Sequence, residues 1–239
     1  FCERVQSEVT KRGVVDVLRK GISHSSNHFA LYMPLPSALS EQGEAFYRQN
    51  KFAVVRQLHY SKRDPHKSVD LMLSINGLPV LTMELKNQLT KQSTAHAVAQ
   101  YRSARDPKEL LFIPGRCAVH FALDDETVEM CTQLRGRDSW FLPFNKGCDG
   151  GAGNPVRMGG VRTAYLWEEV LTKRSLSDIL EHFAQSVQEG KNQRVIWPRY
   201  HQLEVVRSLL ASTKDQPIGG RCLIQHSAGS GKSNSITWL

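Results

Sequence analysis

Two groups of residues in this chain have types and spacings suited to chemistry. In VDLMLSINGLPVLTMELKN (69–87), Asp70 stands near one end of an apolar stretch, and Glu84 and Lys86 stand near the other. In HSAGSGKS (226–233), small residues around Gly229 and Gly231 lead to Lys232 and Ser233. Two neighbouring carboxylates repel unless a cation bridges them, so Asp70 and Glu84 together would make a Mg²⁺ site. Such an ion neutralises charge at a phosphodiester and acidifies water. Lys86 lies two residues from Glu84, on the same face of a strand. It is suited to orient or deprotonate that water, or to stabilise developing negative charge. All three roles point to phosphodiester hydrolysis. The plain alternative is a hairpin with solvated charges at its ends.

The second group has the context of a phosphate-binding loop, with apolar CLI before it and a helix-like SNSITWL after it. Small residues let backbone N–H groups approach phosphate oxygens; Lys232 would reach the β- and γ-phosphates of ATP, and Ser233 would bind Mg²⁺. His226 stands where the general pattern has glycine. Upstream, PRYHQ offers Gln202, whose amide can pair with the N6/N7 edge of adenine. The alternatives are a Gly-Ser turn before a helix and an ordinary surface Gln.

Asp70 and Glu84 can share a site only in one register. Asn76-Gly77 is a strong hairpin signal. A plain two-residue loop pairs Ile75 with Leu78 and, carried on without interruption, sets Asp70 opposite Met83 and puts Glu84 on the other face. A three-residue loop or a bulge brings Asp70 opposite Glu84. The sequence therefore predicts a hairpin that departs from the plain register.

The remaining pattern is α/β. It predicts helices over 2–20 (with Gly13 inside), 40–50 (with Ser40 as N-cap), 93–105 and 163–187. Strands are predicted at 52–61, 110–113, 116–123 and 127–134, and a short one before the phosphate loop. Residues 147–160 hold six glycines and a proline and read as a loop near a boundary. We expect one domain over 1–187 and a second beginning at 188 and running through 239. The first residue is Phe, and the last residues read as a helix cut short, so we expect a fragment of something longer.

The formal net charge of +8 favours a polyanionic partner, most often nucleic acid. Five scattered cysteines with no CxxC pair argue against a zinc site or disulfide framework and suit a reducing cytoplasm. No apolar run approaches membrane-spanning length, so no membrane association is expected.

The arrangement V-D, hairpin, V-L-T-M-E-L-K-N resembles the PD-(D/E)xK nuclease superfamily. E-L-K-N and the later Q-Y-R-S-A-R-D-P look like the version in the HsdR family, the motor and nuclease subunits of type I restriction enzymes. The resemblance to the N-terminal part of that family runs over nearly the whole chain. It implies a mixed sheet flanked by helices, followed by the start of a RecA-like superfamily 2 motor. It also implies Asp70 and Glu84 as metal ligands, Lys86 as catalytic lysine, and Gln202 with the A-G-S-G-K-S loop on ATP. Val69 stands where the superfamily often has Pro. The family's Q-x-x-x-Y element is altered here: Gln100 directly precedes Tyr101. The two are carried as DNA-contacting or site-supporting residues, with packing of Tyr101 on the sheet as the alternative. Glu3 and Glu8 are candidates to complete the metal site. Cofactors implied are Mg²⁺ and ATP. Partners implied are double-stranded DNA and the methyltransferase and specificity subunits of the same complex. Lacking an acidic Walker B strand and a second RecA-like domain, the chain is not expected to be a working ATPase alone. The competing functions are another nuclease–helicase fusion in repair or phage defence, and a non-catalytic DNA-binding module.

Overall fold

The computed structural model describes residues 1–37, 40–189, 192–215 and 220–239. The chain divides into two compact units, Phe1–Trp197 and Pro198–Leu239. The division falls ten residues after the boundary read from the sequence, because Gln185–Glu189 and Asn192–Ile196 pair as antiparallel strands within the first unit.

In the first unit, Gly13 (φ 80°) splits the expected N-terminal helix into α1 (Cys2–Arg12) and α2 (Val14–Lys20). A side chain at that φ would be strained, and the Gly13 N–H closes α1 by bonding Val9 O. A small ribbon, β1 (Ile22–His24) and β2 (Asn27–Phe29), follows. α3 (Glu41–Tyr47) is capped as expected by Ser40, whose side chain accepts from Gly43 N–H.

The main sheet has six strands in the order β3 (Phe52–His59), β4 (Ser68–Ile75), β5 (Leu78–Leu85), β6 (Val119–Leu123), β7 (Val128–Cys131) and β8 (Leu142–Pro143). The β5–β6 pair is parallel and the others antiparallel, which makes the sheet mixed. The parallel crossover is α4 (Thr94–Ser103), whose N-cap Ser93 and His96 form a capping box. α4 buries Ala97, Val98 and Tyr101 against Val69, Met72, Phe112, Ala122 and Phe141. Residues 110–113, expected as a strand, instead hold a 3₁₀ turn at Leu110–Phe112, which puts Leu111 and Phe112 into that core.

The stretch 163–187 is helical only in pieces. A 3₁₀ turn and a π turn precede α5 (Lys173–Asp178), and a second π turn follows it. The i+5 bonds Leu171 N–Leu166 O and Ala184 N–Ile179 O mark the two wider turns. The hairpin β9 (Gln185–Glu189) with β10 (Asn192–Ile196) closes the unit.

The second unit contains α6 (Tyr200–Asp215) and α7 (Lys232–Trp238). The strand expected at 222–224 does not form, because the described residues of this unit supply no second strand to pair with it. No helix among the described residues is long and apolar enough to cross a membrane. The five cysteines are free.

Candidate active site on the bulged hairpin

Asn76 (φ 51°) and Gly77 (φ 82°) form a two-residue turn that pairs Ile75 with Leu78. Both turn residues have positive φ, as the strand twist favours. The register then shifts between Leu73 and Ser74: Ser74 pairs with Pro79, but Leu73 pairs with Leu81. Val80 is the surplus residue, so the predicted departure is a bulge rather than a longer loop. Beyond it Leu71 pairs with Met83, which brings Asp70 level with Glu84.

The regular pairing of the two strands ends at Leu71–Met83. Past it, Asp70 turns its side chain to the partner strand, where Oδ2 accepts the Leu85 N–H at 2.8 Å. Oδ1 accepts from Gln57 Nε2 at 3.0 Å, and Gln57 Oε1 in turn accepts from Ser68 Oγ at 2.9 Å. Gln57 adopts φ 48° within β3, a costly conformation for a non-glycine residue. Its side chain fixes the Asp70 carboxylate.

Glu84 has no exposed surface. Its Oε1 accepts from Arg105 Nε at 2.6 Å, in a salt bridge whose arginine is also buried. Its Oε2 is buried without a hydrogen-bond partner. Burial pushes the Glu84 carboxyl up to about 7. Arg105 and Lys86 oppose that rise, and the charge of Asp70 adds to it. Asp70, level with Glu84 across the hairpin, and Lys86, two residues along the chain from it, each lie close enough to act electrostatically on Glu84. Burial works against the Arg105 charge, but the hydrogen bond and charge of Glu84 outweigh it and raise the Arg105 pKa. The Arg105 guanidinium also lies 5.6 Å from the Tyr60 ring centroid.

Tyr101 is fully buried on α4. Its hydroxyl lies 2.8 Å from Thr82 Oγ1, which lies 2.7 Å from His120 Nδ1. Thr82 precedes Glu84 by two residues on β5, so Tyr101 supports the strand that carries the site and presents no surface to DNA. Gln100 is half-buried, and its carbonyl accepts the Ala104 N–H at the end of α4. Glu8 is held between Arg4 and Arg12. Neither it nor Glu3 joins the carboxylate pair: no group of three potential metal-ligating residues occurs among the described residues.

Sequence reasoning gave no role to Gln57 or to Arg105. Arg105 lies within the quoted Q-Y-R-S-A-R-D-P, but its pairing with Glu84 spans 21 residues. The only local signal was the basic end of a helix.

In the second unit, Gly229 (φ 71°) and Gly231 (φ 80°) take the left-handed conformations a phosphate loop uses. A Cβ on Gly231 would fall 2.4 Å from Gln202 Nε2. Gln202 donates to Gly231 O at 2.9 Å and Ser230 O at 3.2 Å, and its Oε1 accepts the Arg199 N–H. Here the amide braces the loop. Lys232 Nζ folds back onto the carbonyls of Ser227 (3.0 Å) and His226 (3.3 Å).

A mixed sheet flanked by helices, with two carboxylates level on its bulged hairpin, is consistent with a nuclease-like domain. Residues 37–139, with Asp70, Glu84 and Lys86 inside them, match the family described as type I restriction enzyme R protein N terminus. No curated protein matches the chain.

Proposed function

We propose that the chain is the N-terminal part of a restriction subunit of a type I restriction enzyme. In this reading it carries a Mg²⁺-dependent endonuclease whose cleavage of double-stranded DNA is coupled to ATP-driven translocation. The observation that carries the proposal is Glu84. A fully buried carboxylate beside Asp70, with one oxygen on Arg105 and the other on nothing, suits a cation. Asp70 and Glu84 would hold Mg²⁺, which when bound supplies charge neutralisation at the scissile phosphate and acidifies water.

The chain's own groups do the rest. Gln57 and the Leu85 N–H hold Asp70 in one orientation, and Arg105 holds Glu84. Lys86 Nζ moves or steadies the proton of the attacking water, or stabilises charge on the phosphate. Methyltransferase and specificity subunits would supply target recognition, as the family match implies. The second unit would begin the motor, with Gln202, Gly229, Gly231, Lys232 and Ser233 on ATP. The two positive-φ glycines and the crowded Gly231 support that reading.

The test is substitution in the full-length protein. Asp70→Ala, Glu84→Ala or Lys86→Ala is expected to reduce DNA cleavage at least about a thousandfold while ATP hydrolysis continues. Undiminished cutting by Glu84→Ala removes Glu84 from the site.

A further inference from the structure

The positive charge of the chain is not spread evenly. Segments 61–67, 102–109 and 133–140 together hold eight Lys/Arg and four Asp/Glu, so these 23 residues carry half of the net +8. Lys67, Arg102, Arg105 and Arg137 from the three segments line one open groove at the C-terminal end of α4. Arg105 is committed to Glu84, so the groove borders the carboxylate pair at that residue. The other three are not. The ion pairs of the described residues involve other cations.

Each of the three sits on a fixed backbone. Lys67 closes the β3–β4 connection through its N–H to Asp64 O and its carbonyl from Tyr60 N–H. Arg102 donates from Nε and Nη2 to Ser139 O, at 3.1 and 3.0 Å, and lies over the Phe141 ring. Arg137 stands in a turn tied by Ser139 Oγ, which donates to Gly136 O and accepts the Arg135 N–H. Carboxylates stand among these cations too: Asp106 lines the groove with Oδ1 on the Lys108 N–H, Glu129 feels the charge of Arg102, and Asp138 follows Arg137 in the chain.

We propose that Lys67, Arg102 and Arg137 form a subsite for the sugar-phosphate backbone of duplex DNA, leading the strand to Asp70 and Glu84. Charge complementarity selects this ligand: cations carried on anchored backbone, outside the ion pairs of the described residues and at the border of a phosphodiester-cleaving site, meet a regular array of phosphates. The inference rests on the nuclease reading and adds the surface by which the substrate is held.

The test measures binding without cutting. The 239-residue chain is titrated with a fluorescent duplex of about 20 base pairs in EDTA over a salt series. Changing Lys67, Arg102 and Arg137 to Ala together is expected to weaken binding about tenfold or more at low salt. It should also reduce the slope of log affinity against log salt by about 0.9 for each phosphate that is no longer neutralised. Lys67→Ala with Arg137→Ala, which leaves the Arg102–Ser139 bonds intact, guards against a folding defect and should show about two-thirds of the slope change. Equal affinity and slope in that pair overturn the subsite. Equal weakening by Lys11→Ala with Lys20→Ala, away from the groove residues in sequence, overturns it too, since surface charge alone would then account for binding. Because metal and cleavage take no part, either failure leaves the Asp70, Glu84 and Lys86 test untouched.

Discussion

A carboxylate with no exposed surface costs the fold free energy whenever it is ionised, even with an arginine on one oxygen. For Glu84 the pKa is raised from 4.5 to about 7 by burial. The native state therefore holds a proton that the unfolded chain releases, and stability falls as pH rises between about 4.5 and 7. A shift of that size corresponds to roughly 3 kcal/mol, present as a penalty above about pH 7 and absent below about pH 4.5. Urea unfolding of the unsubstituted chain should show that loss. Glu84→Gln should not, and parallel curves for the two proteins would dismiss it. A cation needs the ionised form, so Mg²⁺ should raise the melting temperature more at about pH 8 than at about pH 6. Removing the arginine should be worse than removing the acid: Arg105→Ala leaves the carboxylate buried without its partner and should cost about 3–5 kcal/mol at about pH 8. At about pH 5, where Glu84 carries its proton, the same substitution should cost less. At this scale the sequence named the acids and the lysine, whose spacing on one hairpin is local. Arg105 and Gln57 were not legible, because their contacts depend on where α4 and β3 lie against that hairpin.

The hairpin itself was legible through one constraint, that two carboxylates on opposite faces cannot share a cation. That argument demanded an irregular register, and the surplus Val80 provides it. The bulge makes an asymmetric prediction. Deleting Val80 removes the surplus residue and still leaves Leu73 opposite Leu81 and Asp70 level with Glu84, so cleavage should survive, at some cost from the lost buried Val. Inserting an Ala between Thr82 and Met83 instead sets Asp70 opposite Met83 and turns Glu84 to the other face, so cleavage should vanish. The check is a plasmid-cutting assay of both variants in the full-length protein; cutting by the insertion variant would show that the register does not matter. Other elements were misread where a local pattern had two outcomes. LLFI is apolar enough for a strand, but it follows α4 closely and its Leu111 and Phe112 fill the core as a 3₁₀ turn. The pattern over 163–187 is helical in period, yet the chain makes two π turns around α5 and then enters β9.

The whole chain joins a bulged-hairpin site in Phe1–Trp197 to a glycine-bearing loop in Pro198–Leu239, and the proposed function requires the two to be coupled. Lys232 tests that coupling. It is the one formal positive charge in HSAGSGKS apart from the histidine, and its ammonium rests on the loop carbonyls of Ser227 and His226. Phosphates would compete for the same ammonium, so Lys232→Ala should abolish ATP binding and hydrolysis in the full-length protein. The carboxylates, Lys86 and Arg105 are untouched by this change. An independent nuclease fused to a helicase would go on cutting. A restriction subunit, in which cutting follows translocation, would stop. The expected outcome is loss of both ATP hydrolysis and cleavage, with duplex binding in EDTA unchanged because the groove cations remain. Asp70→Ala should give the reverse pattern, with hydrolysis retained and cleavage lost. A Lys232→Ala protein that cuts DNA at full rate without hydrolysing ATP would dissociate the two activities and favour the nuclease–helicase fusion over the type I restriction subunit.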